Sequence, residues 1–100
     1  MPMTVIVTTN VAPRIRGFLA SCVYEIGPGI YTSPNLTKGV RERIWRVCND
    51  WFVEIHGMES SIIMTWRDKN EPGGQGIRSI GAPQRVIIDH EGYLLTKHNT

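Results

Sequence analysis

The chain has 100 residues, 41% of them hydrophobic, with three tryptophans and a formal charge of +2. That length makes one small domain that buries only about 60–65% of its unfolded surface, so the apolar excess points to self-association. The net charge is too small to mark a nucleic-acid binder by itself, but Arg14, Arg16, Lys38, Arg41, Arg43 and Arg46 all fall in the first half.

Met1-Pro2-Met3 leads straight into a strand over residues 3 to 8, without the basic leader of a secreted protein. No apolar stretch approaches the ~20 residues that span a bilayer, so a cytoplasmic protein with no membrane partner is expected. The β-branched run Val5-Ile6-Val7 favours a central strand buried on both faces. Asn10 is placed to cap the following helix, and Pro13 suits its first turn. Helical spacing of Ile15, Leu19, Cys22, Val23 and Ile26 carries that helix from Pro13 to about Ile26, where Gly27-Pro28-Gly29 stops it.

Ile30-Tyr31-Thr32 reads as a short strand and Ser33-Pro34-Asn35 as a turn. Thr37 is the expected cap of a second helix from Lys38 to about His56, closed by Gly57. Its buried stripe is Val40, Ile44, Val47, Cys48, Trp51 and Ile55, with Arg41, Glu42, Arg46, Asn49 and Asp50 facing outward. A third strand covers Ser61 to Trp66, a polar glycine-rich loop Arg67 to Gly74, and a fourth strand Ile77 to Gly81. Val86-Ile87-Ile88 and Tyr93-Leu94-Leu95 flank a four-residue turn, Asp89-His90-Glu91-Gly92. Cys22 and Cys48 have no CxxC partner and read as reduced core thiols.

The order βαβαββ plus a small C-terminal β extension implies an α+β fold, a ferredoxin-like sandwich with two helices on one face of a four-stranded sheet. Residues 1–100 form a single domain, with a polar tail at 96–100 that is either a terminus or the start of a longer one.

Several stretches taken in order resemble a known family. They are Thr8-Thr9-Asn10-Val11-Ala12-Pro13-Arg14-Ile15-Arg16-Gly17, Gly29-Ile30-Tyr31 and Val40-Arg41-Glu42-Arg43-Ile44-Trp45. Ile63-Met64-Thr65-Trp66, Gly81-Ala82-Pro83-Gln84-Arg85 and Ile88-Asp89-His90-Glu91-Gly92 complete the set. Together they resemble CRISPR-associated protein 2 of the type I-E systems, the small subunit of the spacer-acquisition complex. The resemblance implies a ferredoxin-like homodimer that bridges integrase dimers and grips double-stranded DNA. It also raises an alternative, a metal-dependent endonuclease using Mg2+ or Mn2+ at an aspartate ending the first strand. This chain has Thr8-Thr9-Asn10 there, and none of these supplies the anionic oxygen a hard divalent cation prefers. No cofactor, metal ligand or catalytic residue is therefore expected, and a structural role is favoured.

Arg14 and Arg16 project from a helix N-terminus, which already favours anions, and are the expected phosphate contacts along a duplex. Arg85, in an irregular segment, and Lys38 and Arg41, at the start of the second helix, are further candidate nucleic-acid contacts. Plain solvated charge is the alternative for each. Asp89, His90 and Glu91 are better explained as turn residues than as a metal site. Trp45, Trp51 and Trp66 sit on buried patterns and are expected to pack or to make dimer contacts rather than stack on bases. His56 is read as a cap at the negative end of the second helix.

Overall fold

Val5, Ile6 and Val7 lie in β1 (Thr4–Val11), the middle strand of a five-stranded antiparallel sheet. The computed structural model describes residues 3–54, 56–81, 85–90 and 93–98, with side chains described for 3–54 and 59–81. After β1 come α1 (Pro13–Cys22), β2 (Tyr24–Gly27), β3 (Ile30–Ser33), α2 (Lys38–Glu54) and β4 (His56–Arg67). A single 3-10 turn (Pro72–Gly74) then leads into β5 (Gln75–Gly81), β6 (Arg85–His90) and β7 (Tyr93–His98). The sheet order is β2-β3-β1-β4-β5, and β6 with β7 forms a separate two-stranded sheet. The first four strands and two helices make the βαββαβ ferredoxin-like sandwich, with β5 added outside β4.

Pleating sends alternate residues to opposite faces. One face presents Ile6, Tyr31, Ile62 and Met64, which are 0–1% exposed and pack with Ile15 and Leu19 of α1 and Ile44, Cys48 and Phe52 of α2. Both helices lie on that face. On the other, Val5 and Val7 are only half-buried, so β1 is central but not enclosed on both sides as its sequence suggested. Among the described residues, no helix is long and apolar enough to cross a membrane.

The first helix is shorter than its apolar spacing predicts. It ends at Cys22, where the Val23 N–H bonds back to the Leu19 carbonyl at 2.9 Å, and Tyr24–Gly27 becomes an edge strand. Gly27-Pro28-Gly29 is therefore a hairpin connection and not a helix stop. Gly29 has φ of +75°, and a Cβ there would stand 2.8 Å from the Thr8 carbonyl, so glycine is required. Asn10 does not make the cap of α1. It sits at φ +55° in a β-bulge between Thr9 and Val11, and the N-cap is Ala12, with no side-chain bond.

Thr37 does cap α2, its hydroxyl accepting from the Val40 N–H at 3.2 Å. The buried stripe of that helix is rotated from the expected one. Arg41, Ile44, Cys48 and Phe52 face inward, and Val40 is 45% exposed. Gly57 and His56 belong to β4 and not to the helix end. Asp89 and His90 pair with Leu94 and Tyr93, so the last hairpin is tighter than four residues, and β7 runs through Thr96 and Lys97 to His98. Glu91 and Gly92 lie outside the described residues.

Candidate nucleic-acid interface

Pro13 opens α1, and Arg14 and Arg16 follow within its first turn, both exposed. No side chain caps the helix start; Pro13 has no N–H, and the Ile15 and Arg16 N–H groups donate to the Ala12 carbonyl at 3.0 and 3.3 Å, so what favours an anion here is the positive end of the helix dipole. Arg14 is held in place: its guanidinium lies 4.0 Å from the centroid of the Trp51 ring, which also meets Phe18 edge-on at 5.3 Å. Arg16 stands 3.8 Å from the Glu25 carboxylate, a loose and partly exposed pair. The same carboxylate accepts from the Gly29 N–H at 3.1 Å. Thr8, near the end of β1, donates both its N–H and its hydroxyl to the Gly29 carbonyl, at 2.7 and 3.0 Å. That hydroxyl locks β1 to the β2–β3 hairpin. Tyr31 lies in the core beneath, and burial raises its hydroxyl pKa above the ordinary 10.0.

The other candidates lie elsewhere. Arg41 is only 4% exposed, with its guanidinium 4.2 Å over the Trp66 ring. Trp66 pairs with Thr4 at the start of β1, whereas α1 leaves from the end of that strand. Arg41 and Trp51 are ten residues apart on α2, or about 15 Å along its axis. The structure therefore brings Arg14 and Arg16 together at one end of the sheet, and Lys38 and Arg41 together at the other. Arg85 begins β6, and its side chain lies outside the described residues.

Sequence reasoning missed two cations. Arg67 and Lys69 line the same open groove as Lys38 and Arg41, with Asp68 the one acidic residue in its wall among the described residues. The signal was present in the two basic residues straddling the end of an apolar strand, but only the fold places that end beside the start of α2. Trp45 and Trp51 pack against the core and Trp66 is buried, so the tryptophans take the packing role expected of them.

Among the described residues, no three His, Cys, Asp or Glu side chains come together as a metal-binding group. Asp89, His90 and Glu91 have side chains outside those residues. Of the two thiols expected in the core, Cys48 is buried there and its pKa is pushed up to about 12 by that burial, but Cys22 is exposed because α1 ends there.

A ferredoxin-like sandwich with cations at both ends of its sheet is what the residues build. The sequence model of a family described as CRISPR-associated protein (Cas_Cas2CT1978) matches residues 3–95, nearly the whole chain. The chain belongs to that family of CRISPR-associated proteins.

Proposed function

We propose that this CRISPR-associated protein is a structural subunit of the spacer-acquisition complex, of the type I-E kind, in which a homodimer bridges integrase dimers and grips double-stranded DNA by its backbone. The observation that carries this reading is the α1 end: an uncapped helix N-terminus with exposed Arg14 and Arg16, and threonines where a nuclease of the family would place a carboxylate. Fixed cations beside the positive end of a helix dipole suit phosphate oxygens and read no bases. The bond from the Thr8 hydroxyl to the Gly29 carbonyl supports reading this strand end as structural.

Support for the dimer comes from the sheet face opposite the helices. Ile30 and Ile63 flank Val7 there at 37% and 38% exposure, and Tyr24 and Ile26 on the edge strand reach 72% and 66%. An apolar sheet face of this kind is covered in a stable protein, and a second copy covers both faces at once. Light scattering at micromolar concentration should give twice the 11.3 kDa chain mass. A monomer would remove the dimer from the reading.

The clamp is tested by salt. Each lost phosphate contact flattens the plot of log affinity against log salt by about 0.9. Replacing Arg14 and Arg16 with alanine removes about four contacts per dimer and lowers the slope by about 3 to 4, equally for unrelated duplexes. An unchanged slope, or a loss confined to certain sequences, overturns the clamp. Cleavage dependent on Mg2+ or Mn2+ and abolished by Asp89→Ala would replace the structural role with an enzymatic one.

A further inference from the structure

Two arginines lie against the Trp66 ring, and they differ in one respect. Arg78, 5.9 Å from the ring centroid, donates to the Glu42 carboxylate at 2.9 Å. Arg41, closer at 4.2 Å and far more buried, has no carboxylate, carbonyl or hydroxyl partner for its guanidinium among the described residues. Its Nε–H and the indole N–H of Trp66 are both buried without an acceptor. Two orphaned donors side by side, one of them cationic, are a costly arrangement inside a protein.

Both residues line a groove of about 1460 Å³ between the start of α2 and the β4–β5 connection. Among the described residues, Lys38, Arg67 and Lys69 stand around it against one carboxylate, that of Asp68, which accepts from the Asn70 N–H at 3.0 Å. The first turn of α2, a helix of 17 residues, opens into the same space. The groove is larger than the ~300–1,000 Å³ of an enclosed small-molecule pocket, and the charge of its described residues is one-sided.

We propose that this groove binds a phosphate group, anchored by Arg41 on its Trp66 platform, with Lys38, Arg67 and Lys69 as solvent-exposed supports. The proposal rests on reading Lys38 and Arg41 as phosphate-facing cations, but it separates them from the α1 clamp as a site of their own. The phosphate comes either from a nucleic-acid strand lying along the groove or from a small phosphorylated ligand, and the chemistry is the same.

The full chain is titrated with pyrophosphate at constant ionic strength while the Trp66 indole N–H resonance is followed by NMR. Saturable movement of that resonance is expected. A charge-assisted hydrogen bond is worth about one to two decades of affinity, so Arg41→Gln should weaken binding at least about tenfold. Lys69→Ala, on an exposed side chain, should weaken it by a few-fold, and Arg46→Ala, outside the groove, should leave it unchanged. A 5′-phosphorylated oligonucleotide is then added. Movement of the same resonance, reversed by pyrophosphate, identifies a strand as the source, and movement by pyrophosphate alone identifies a small ligand. If Arg41→Gln fails to fold, the Lys69→Ala and Arg46→Ala pair still decides. No saturable shift with pyrophosphate, or equal losses in that pair, overturns the site. The salt slope of the Arg14 and Arg16 variant is measured independently, so either result can fail without the other.

Discussion

At the α1 end of the sheet Arg16 shares a carboxylate with a backbone N–H, and Arg14 rests on Trp51 in open solvent. At the α2 end Arg41 also rests on an indole, but largely buried and with no anion beside it among the described residues. The same two residue types, arginine on tryptophan, therefore carry opposite energetics. Solvated charge is nearly free to keep, and its loss is nearly free too. Burying a guanidinium with its Nε–H unsatisfied carries a desolvation cost that the cation–π contact offsets only in part. The α1 end could persist as ordinary surface. The α2 end persists against its own stability cost, the usual mark of a residue kept for binding.

The largest effect should come from removing the platform. Gly76 lies against the Trp66 indole, and a Cβ there would overlap the ring. Neither the strand backbone nor the packed indole can give way easily, so Gly76→Ala should destabilise the fold by about 3 kcal/mol, in the range of overpacked cores. Urea denaturation measures this. A change below about 0.5 kcal/mol would mean that Trp66 is not fixed, and the contrast between the two ends would lose its basis.

The second effect should have the opposite sign. Arg41→Met keeps an unbranched chain over the indole and removes the unpaired charge. With desolvation outweighing the cation–π gain, the variant should be more stable by about 1 kcal/mol. Arg14→Met, at the solvated end, should shift stability by no more than about 0.5 kcal/mol. Denaturant midpoints of the two variants, compared side by side, sharpen the comparison directly. A clear loss of stability in Arg41→Met would show that Arg41 is paired in solution, and the two ends would then be alike.

The sequence carried much of this architecture but not the contrast between the ends. Val5-Ile6-Val7 announced the central strand, Thr37 the start of α2, and Pro13 the start of α1, because each rests on local chemistry. The edge strand β2 was hidden since Leu19, Cys22, Val23 and Ile26 keep helical spacing past the point where the helix ends. Tertiary pairing of Tyr24 and Glu25 with Thr32 and Tyr31 overrides that periodicity. Arg41, Ile44, Cys48 and Phe52 stand at spacings of three, four and four, an apolar stripe in all but its first member. Charge argued Arg41 outward; the flat face of Trp66, 25 residues on, takes it inward. Arg14 and Arg16 were legible as candidates because they follow a helix start. The grouping of Lys38, Arg41, Arg67 and Lys69 was not, because it depends on β4 returning beside the first turn of α2.

The smallest effect concerns the carboxylate at the α1 end. Glu25 competes with any phosphate for Arg16, at 3.8 Å and with both side chains partly exposed. Such a pair contributes about 0–1 kcal/mol to stability. Glu25→Gln keeps an amide oxygen able to accept the Gly29 N–H, so the hairpin should hold and the denaturant midpoint should barely move. What should change is duplex binding. Arg16 no longer has to leave a carboxylate to reach a phosphate, and the repulsion between Glu25 and the backbone is gone. The affinity of the dimer for any duplex should rise by up to about fivefold, the factor that 1 kcal/mol represents. The gain should shrink as salt is raised, because both terms are screened over about 10 Å at 0.1 M. Phosphate binding in the Arg41 groove, read by the Trp66 indole resonance, should not respond, since that groove lies at the opposite end of the sheet. A gain that appears equally at both ends would mean that Glu25 acts through the overall field of the protein, and the two sites would then have to be treated as one.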